Sequence, residues 1–300
     1  MNDIESLFEN ADKKTKEEKP IQPFLSKEEY MEKKRLEKEE AYSLLDKASE
    51  EMTSSGDKFK ELLDVMSRFD RYSPGNILLI AYQMPEATRL ADFSAWKDKD
   101  AYINKGEKAI TIFEPGNEFT REDGSTAFNM NVKKVFDVSQ TDQADKQTER
   151  PKPGLKDAMK ALLSASPCGV VLVNELPDHS VRYIPEDNVI YVKRGIDDCE
   201  LFRVLAYEIG IADHSKIGVD RTEANFPSYC AAYIICERNG IDTVGFNFDK
   251  VPDMFRDKEP KEIRKTVSEI RNNANDIIKE MIKDLNNTDK NPHKRDDGAR

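Results

Sequence analysis

The sequence is poor in the residue types that build metal sites and disulfides. Its 300 residues contain three histidines, four cysteines and one tryptophan. The cysteines have no C-x-x-C spacing and the histidines, His179, His214 and His293, lie far apart, which argues against the common zinc motifs. There is no secretory signal and no apolar run of about 18 residues. We therefore expect a cytoplasmic protein with reduced thiols and no membrane association.

The chain also lacks an excess of positive charge. Its formal net charge is -11 and its pI is near 5.1. Such a balance excludes a protein that coats nucleic acid over its whole surface, although a local basic patch remains compatible with it. The acidic surface could equally serve a protein partner.

Polar residues are concentrated at the two ends, and this distribution predicts the domain organisation. Residues 1–40 are expected to be a mobile or partly helical charged segment, and residues 286–300 a disordered tail. The stretch "TDQADKQTERPKPG" is polar and contains prolines, which is typical of a linker, placed at 142–154. This leaves two domains, 41–141 and 155–285.

Hydrophobic periodicity predicts helices followed by a small antiparallel sheet in the first domain. "DKFKELLDVMSRFDRYS" and "NILLIAYQM" read as helices, and Ala109 to Phe113 as a strand that stops at Pro115-Gly116. Asp123-Gly124 marks a hairpin turn. We expect a helix, a strand, a second hairpin turning at 186–188 and three further helices in the second domain. The predicted fold class is α+β.

The most informative stretch of the second domain is "LFRVLAYEIGIADHS". It has the outline of a zinc-peptidase helix, in which His-Glu-x-x-His places two imidazoles one turn apart. The corresponding residues are Tyr207, Glu208, Ile209, Gly210 and Ile211. The glutamate is present and both histidines are missing.

The first domain resembles the N-terminal domain of ArdC-type antirestriction proteins, found on plasmids and conjugative elements. The resemblance covers roughly residues 45–141 and ends with "VFDVSQT". It rests on a Tyr-Ser-x-x-Asn start, a Gln-x-Pro-x-Ala-Thr segment, a tryptophan and a Lys-Gly-Glu-Lys turn before a strand. These elements comprise Tyr72, Ser73, Asn76, Gln83, Pro85, Ala87, Thr88, Trp96, Lys105, Gly106, Glu107, Lys108 and Pro115.

The resemblance implies binding of single-stranded DNA. Cations could neutralise phosphates, and aromatic rings could stack on bases. Trp96 could instead be a core anchor, and the lysines alternate with acids, so a solvated mixed surface is the competing interpretation. The predicted DNA-binding residues are Arg68, Arg71, Tyr72, Asn76, Trp96, Lys97, Lys99, Tyr102, Lys105 and Lys108.

ArdC-type chains continue into a zincin-like metallopeptidase domain, and the layout of the second domain is similar to it. Aligned with that family, Tyr207 and Ile211 replace the histidines and Tyr229 replaces the third ligand. Isoleucine has no donor atom, and neutral tyrosine is a poor ligand. Without a metal, Glu208 would have no bound water to deprotonate. We therefore expect a pseudoenzyme with no cofactor, in which these side chains fill the metal's volume and Glu208 has a structural role.

Together these patterns predict a single-stranded DNA-binding protein of a mobile genetic element. Its expected role is antirestriction, or protection of the transferred strand during conjugation. Two alternatives remain open. One is a metallopeptidase with unorthodox ligands, for which Cys230, His214 and Glu223 are the conceivable set. The other is a protein-interaction adaptor without DNA binding.

Overall fold

The computed structural model describes residues 26–121, 123–146 and 151–290, and its fold is α+β, as predicted. Two units are distinguished, residues 1–39 and residues 40–300. In the first unit the described part is the beginning of helix α1 (Lys27–Glu51), where Lys34 pairs with Glu37 one turn away. The rest of the predicted charged segment lies outside the described residues.

Two helices, α2 (Gly56–Arg68) and α3 (Pro74–Gln83), form where the apolar periodicity predicts them. Each begins at a serine: the Ser55 side chain accepts from the backbone N–H of Lys58, and that of Ser73 from Asn76. The apolar face of α2 is fully buried, and α3 is buried along most of its length. The loop that joins α2 and α3 is therefore anchored at both ends by a buried helix.

The first sheet has the order β1-β3-β2 and is antiparallel: β1 (Leu90–Ala91), β2 (Ile110–Thr120) and β3 (Thr126–Asp137), with α4 (Phe93–Lys97) after β1. The prediction that the strand stops at Pro115-Gly116 is wrong. Instead, the register shifts between Pro115 and Glu118, and pairing then resumes. Proline cannot donate to the ladder, so it occupies an irregularity rather than ending the strand.

The second sheet has the order β4-β6-β5, with β4 (Gly169–Val173) parallel to β6 (Val189–Lys193) and β5 (Val181–Ile184) antiparallel to it. The remaining helices are α5 (Leu155–Ser164), α6 (Asp198–Lys216), α7 (Arg221–Asn239), α8 (Val251–Phe255) and α9 (Pro260–Lys290). The Asp197 side chain caps α6 by accepting from the backbone N–H groups of Cys199 and Glu200. Helix α9 continues past the predicted end at 285, and residues 291–300 lie outside the described residues.

One core cluster contains buried residues from Ala41 to Met281. Helix α2 packs directly on α7, where the Tyr233 hydroxyl donates to Asp64 Oδ1 at 2.6 Å. The predicted domain boundaries stay a prediction. The predicted linker does too, because its residues 147–150 lie outside the described residues. The structural consequence is that elements from both predicted domains can build one site.

Helices α6, α7 and α9 pack closely around Gly210. A Cβ atom added there would lie 2.9 Å from Asn273 Oδ1 and 3.0 Å from the Ser228 side chain. A residue without a side chain is therefore needed at this position. No helix in the described part of the chain combines the length and the apolar character needed to cross a membrane.

Candidate functional site

Several of the motif residues use their side chains to hold the backbone of the first sheet. The Asn76 amide donates to the Phe113 carbonyl at 2.7 Å and accepts from its N–H at 2.8 Å. Gln83 makes the same pair of bonds with Thr111, both at 2.9 Å. Asn76 is buried and fully engaged. Its prediction as a DNA-binding residue is therefore corrected to a structural role.

Asp137, in the "VFDVSQT" segment, fixes the chain before β1. Its Oδ1 atom accepts from the backbone N–H groups of Thr88 and Arg89, both at 2.7 Å, and its Oδ2 atom from Ser139 at 2.9 Å. Asp137 is fully buried. The carboxylate thus determines where the Arg89 side chain leaves the backbone.

Trp96 is a core residue. Its side chain is 1% exposed and its Nε1–H donates to the Phe136 carbonyl at 2.9 Å. The cationic groups of Arg89 and Lys99 each lie 5.3 Å from its ring centre. No ring face is free for a base, so the predicted stacking role of Trp96 is corrected to the competing interpretation, a core anchor.

The other two predicted stacking residues differ in exposure. Tyr72 is half-buried and packs edge-to-face on Phe69, with ring centres 5.5 Å apart. Burial raises the pKa of Tyr72. Tyr102 is 56% exposed, and its backbone is held by two bonds of 2.9 Å with Asp142. Tyr102 therefore keeps an accessible ring, whereas Tyr72 presents only part of one.

The predicted cations also divide into two sets. Arg68 is half-buried and donates to the carbonyls of Ala87, at 3.0 Å, and Pro85, so its side chain fastens the 85–87 turn. Burial lowers the pKa of Arg68. The remaining predicted cations are exposed: Arg71, Lys97, Lys99, Lys105 and Lys108.

Four arginines line one cleft of about 590 Å³, which we call the arginine cleft. It brings together the α2–α3 loop, the chain before β1, the end of α7 and one face of α9. Arg71 and Arg89 are its exposed arginines, and neither forms an ion pair within the described part of the chain. The lining residues are Arg68, Phe69, Asp70, Arg71, Tyr72, Thr88, Arg89, Leu90, Pro151, Pro153, Arg238, Asn239, Ile278, Met281, Ile282 and Leu285.

Asp70 accepts three hydrogen bonds that hold this cleft together. Its carboxylate accepts from Arg238 of α7 at 2.6 Å. Its backbone carbonyl accepts from Arg271 and Asn275 of α9, both at 3.0 Å. These bonds tie the α2–α3 loop to both helices, so the neighbouring Arg71 is presented from a fixed backbone.

Sequence reasoning missed Arg89 and the α9 wall of the cleft. Arg89 follows Thr88 directly, so a cation adjoining the motif is a signal that the sequence does contain. The α9 residues gave no such signal, because an apolar helical face is usually core. Of the six predicted cations, the cleft gathers Arg68 and Arg71, while the four lysines, at positions 97, 99, 105 and 108, lie outside its lining.

The Glu208 carboxylate has a cationic partner in the structure. Its Oε2 atom accepts from the backbone N–H of Tyr183 at 2.8 Å, and its Oε1 atom from the Arg221 guanidinium. Glu208 is 2% exposed. Arg221 also lies over the Tyr207 ring, 5.8 Å from its centre. A guanidinium therefore supplies the positive charge beside this glutamate, and both carboxylate oxygens are occupied.

Tyr207 and Ile211, the two positions of the missing histidines, carry no metal-binding group suited to neutral pH. The Tyr207 hydroxyl donates to Asn225 Oδ1 at 2.7 Å, and burial raises the pKa of Tyr207, which disfavours the phenolate. Ile211 is buried and lines a cavity of about 300 Å³ beside Arg221. With a guanidinium on the glutamate, the donor set does not fit zinc.

The assignment of Tyr229 to the third ligand position is not supported by its contacts. Its hydroxyl accepts from the Asn247 N–H at 2.8 Å, and its ring packs on Phe246 and Phe248. The face of α7 that meets α6 instead carries residues 221, 225 and 228. Position 229 is about 40° round the helix from 225 and about 100° from 228, at the edge of this face, and its ring is turned to Phe246 and Phe248. We call Tyr183, Tyr207, Glu208, Arg221 and Asn225 the Glu208 site.

The alternative metal ligands do not converge either. Cys230 is fully buried, and burial raises its pKa well above the ordinary value, which disfavours the thiolate. His214 Nδ1 lies 2.9 Å from the Gly210 carbonyl, in its own helix. Among the described residues, no three histidine, cysteine or acidic side chains are arranged to hold a metal. Whether zinc binds stays a prediction for experiment.

Comparison with known proteins gives a family for the first part of the chain. Residues 14–158 match the model of the N-terminal domain of anti-restriction factor ArdC. An uncharacterized protein of Bacillus anthracis is 39% identical over 89 residues, which are 28% of this chain and 15% of that protein. The chain thus spans a small part of that relative.

Two solved structures are similar at low identity. They are the metal-free and Mn(II)-bound crystal structures of antirestriction protein ArdC from the R388 plasmid, both 16% identical to this chain. Their TM-scores are 0.48 and 0.49, over 71% and 70% of this chain and 86% and 85% of theirs. The family match over 14–158 contains every motif residue from Tyr72 to Thr141, so this part of the chain is similar to the N-terminal domain of ArdC.

Proposed function

We propose that this protein binds single-stranded DNA through the arginine cleft, as part of an antirestriction or strand-protecting role. The observation that carries the proposal is the presence of two exposed arginines without ion pairs, Arg71 and Arg89, beside an aromatic ring on a protein of net charge -11. Such a local cationic groove with aromatic residues is the usual form of a single-strand site.

The cationic surface continues from the cleft across Trp96. Arg89 and Lys99 lie on the same ring, so their charged groups are within about 11 Å of each other. Phosphates of an extended strand, with a charge about every 3.4 Å along its axis or further apart, can meet both. Lys97 is also exposed, and it lies on the short helix α4 that carries Trp96. This arrangement supports a path for the backbone from Arg71 towards α4.

Charge reversal tests the path. The double variant Arg71→Glu/Arg89→Glu should weaken binding of a labelled oligothymidine at least tenfold at low salt, and should reduce the log-log salt slope by about 1.4. The matched control is Lys193→Glu/Arg194→Glu, which changes the net charge equally on the exposed end of β6. Equal loss in both variants would show a general charge effect and contradict the proposal.

The predicted lysine turn gives a second comparison. If Lys105 and Lys108 contact DNA, Lys105→Glu/Lys108→Glu should weaken binding as well. Both are exposed, and Gly106 between them has φ of 94°. If this variant binds as the wild type does while the Arg71/Arg89 variant does not, the site is the cleft alone. If neither the wild type nor any variant binds DNA at low salt, the adaptor alternative is favoured.

We further propose that the Glu208 site is not catalytic. Two features support this. The Arg221 guanidinium is hydrogen-bonded to the Glu208 carboxylate, and Tyr207 and Ile211 supply no suitable metal ligand. We expect elemental analysis after dialysis against a mild chelator to find no stoichiometric zinc. A value near one zinc per chain would instead favour a peptidase with unorthodox ligands, and Glu208→Gln would then abolish its activity.

A further inference from the structure

One part of the lining of the arginine cleft is apolar. Helix α9 contributes Ile278, Met281, Ile282 and Leu285, which follow the i, i+3, i+4, i+7 spacing of one helical face. Ile278 and Met281 are buried, whereas Ile282 is 36% exposed and Leu285 is only partly covered. Phosphate binding needs cations and hydrogen-bond donors but no such wall.

The size of the cleft suits one nucleotide better than a phosphate alone. Its volume of about 590 Å³ is within the range of sites that enclose a small organic ligand, about 300–1,000 Å³. Tyr72 lies in the same lining as the arginines and the α9 side chains. A ligand that fills the cleft would therefore combine an anionic end with a flat apolar part.

Two other cavities lack this combination. The cavity of about 860 Å³ between α6 and α9 is lined by five acidic residues and two lysines. Lys216 lies 3.8 Å from Asp213 and Lys279 lies 3.0 Å from Asp276, so the remaining acids would repel a phosphate. The cavity of about 300 Å³ beside Ile211 has its arginine engaged with Glu208. Of these three cavities, only the arginine cleft has exposed, unpaired guanidinium groups beside an apolar surface.

We propose that the arginine cleft holds one unstacked nucleotide of the strand, with its base between Tyr72 and the α9 wall and its phosphates on Arg71 and Arg89. This inference rests on the proposed single-strand binding and adds that the cleft recognises a base. The cleft is suited to this because Asp70 ties its loop to α7 and α9, so the surfaces that would enclose the base are held in place before binding.

The first test needs only the wild-type protein. Fluorescence anisotropy at low salt would compare labelled oligothymidine with an abasic oligonucleotide of the same length and charge. We expect the abasic strand to bind about tenfold more weakly, because base contacts are lost while phosphate contacts remain. Equal affinity for the two strands would overturn the inference and leave single-strand binding intact. Binding of neither strand would overturn both proposals.

The second test places the base on the α9 wall. Ile282→Asn should weaken oligothymidine binding several-fold, leave abasic binding unchanged and preserve the salt slope. Met254→Asn is the matched control, because Met254 is 41% exposed on α8 and lies outside the cleft lining. Circular dichroism would verify folding of both variants. Wild-type affinity of Ile282→Asn for oligothymidine would show that the base is not on this wall.

Discussion

The arginine cleft and the Glu208 site contain the same functional group in opposite situations. In the cleft, Arg71 and Arg89 are exposed and have no acidic partner among the described residues. In the Glu208 site, Arg221 pairs with a carboxylate whose side chain is 3% exposed, and it lies over the Tyr207 ring. A guanidinium that is already paired and desolvated has few donors and little charge available for a ligand. Arg221 is therefore a structural residue, whereas Arg71 and Arg89 are available for binding.

The comparison also gives Glu208 a role that does not depend on catalysis. A buried carboxylate needs a counter-charge, and in this chain Arg221 provides one that is covalently part of the protein. The metal would otherwise fill that electrostatic role in a zinc peptidase. Retention of Glu208 is therefore consistent with stability alone.

The largest expected effect comes from removing the arginine of the Glu208 site. Arg221→Met should lower the free energy of unfolding by about 3 kcal/mol, because it leaves the Glu208 charge buried without its partner. Urea denaturation would measure this. Arg71→Met, the matched exposed arginine, should cost less than about 0.5 kcal/mol.

The double variant Glu208→Gln/Arg221→Met serves as the control for the first prediction. It removes both charges, so much of the stability should return. If the double variant is as unstable as Arg221→Met, the loss comes from packing against Tyr207 rather than from the unpaired charge, and the comparison of the two sites would fail.

The next effect distinguishes two arginines inside the cleft. Arg68 donates to the Ala87 and Pro85 carbonyls and should behave as a structural residue. We expect Arg68→Met to lower the free energy of unfolding by about 1–3 kcal/mol, because buried carbonyls lose their donors. Thermal or urea unfolding beside Arg71→Met tests it. Equal stability of the two variants would contradict the structural role assigned to Arg68.

A smaller effect is expected at the residue that positions the cleft. Asp70→Ala removes the partner of Arg238 and adds a positive charge near the cleft, which by charge alone would favour DNA. We nevertheless expect binding to weaken a few-fold, because the Arg71 loop loses one of its three attachments. Anisotropy titration at several salt concentrations would decide. Tighter binding would show that charge outweighs positioning.

The smallest effect concerns a half-buried carboxyl whose partner is a hydroxyl instead of an arginine. Burial raises the pKa of Asp64, whose Oδ1 accepts from Tyr233. The folded state thus binds this proton more tightly than the unfolded chain. The stabilisation is complete below the ordinary pKa of 3.8 and is lost as pH rises through the raised value.

Asp64→Asn tests this sign. Relative to the wild type, its stability should improve as pH rises through the weakly acidic range, because only the wild type loses the contribution of the protonated carboxyl. Urea unfolding at several pH values gives the difference. A difference that is independent of pH would show that Asp64 ionises as it does in the unfolded chain.

The extent to which the site was predictable differs between local and distant signals. Arg71 and Tyr72 are predicted from the resemblance over neighbouring motif residues, and the structure places both in the lining of the arginine cleft. Trp96 and Asn76 were misassigned because side chains of the same types serve stacking, hydrogen bonding to a ligand, or bonding to a neighbouring strand. The partners that decide between these roles, Phe136 and Phe113, are 40 and 37 residues away in sequence.

The sequence by itself determined the helices, the two hairpins, the α+β class and the absence of histidine ligands at 207 and 211. These follow from hydrophobic period, capping and turn residues, and donor chemistry, which act within a few residues. The tertiary structure alone decided that Arg221 reaches Glu208, that Tyr229 turns towards 246–248, and that α9 closes the arginine cleft. Each of those depends on helix packing between segments distant in the chain, which no local pattern encodes.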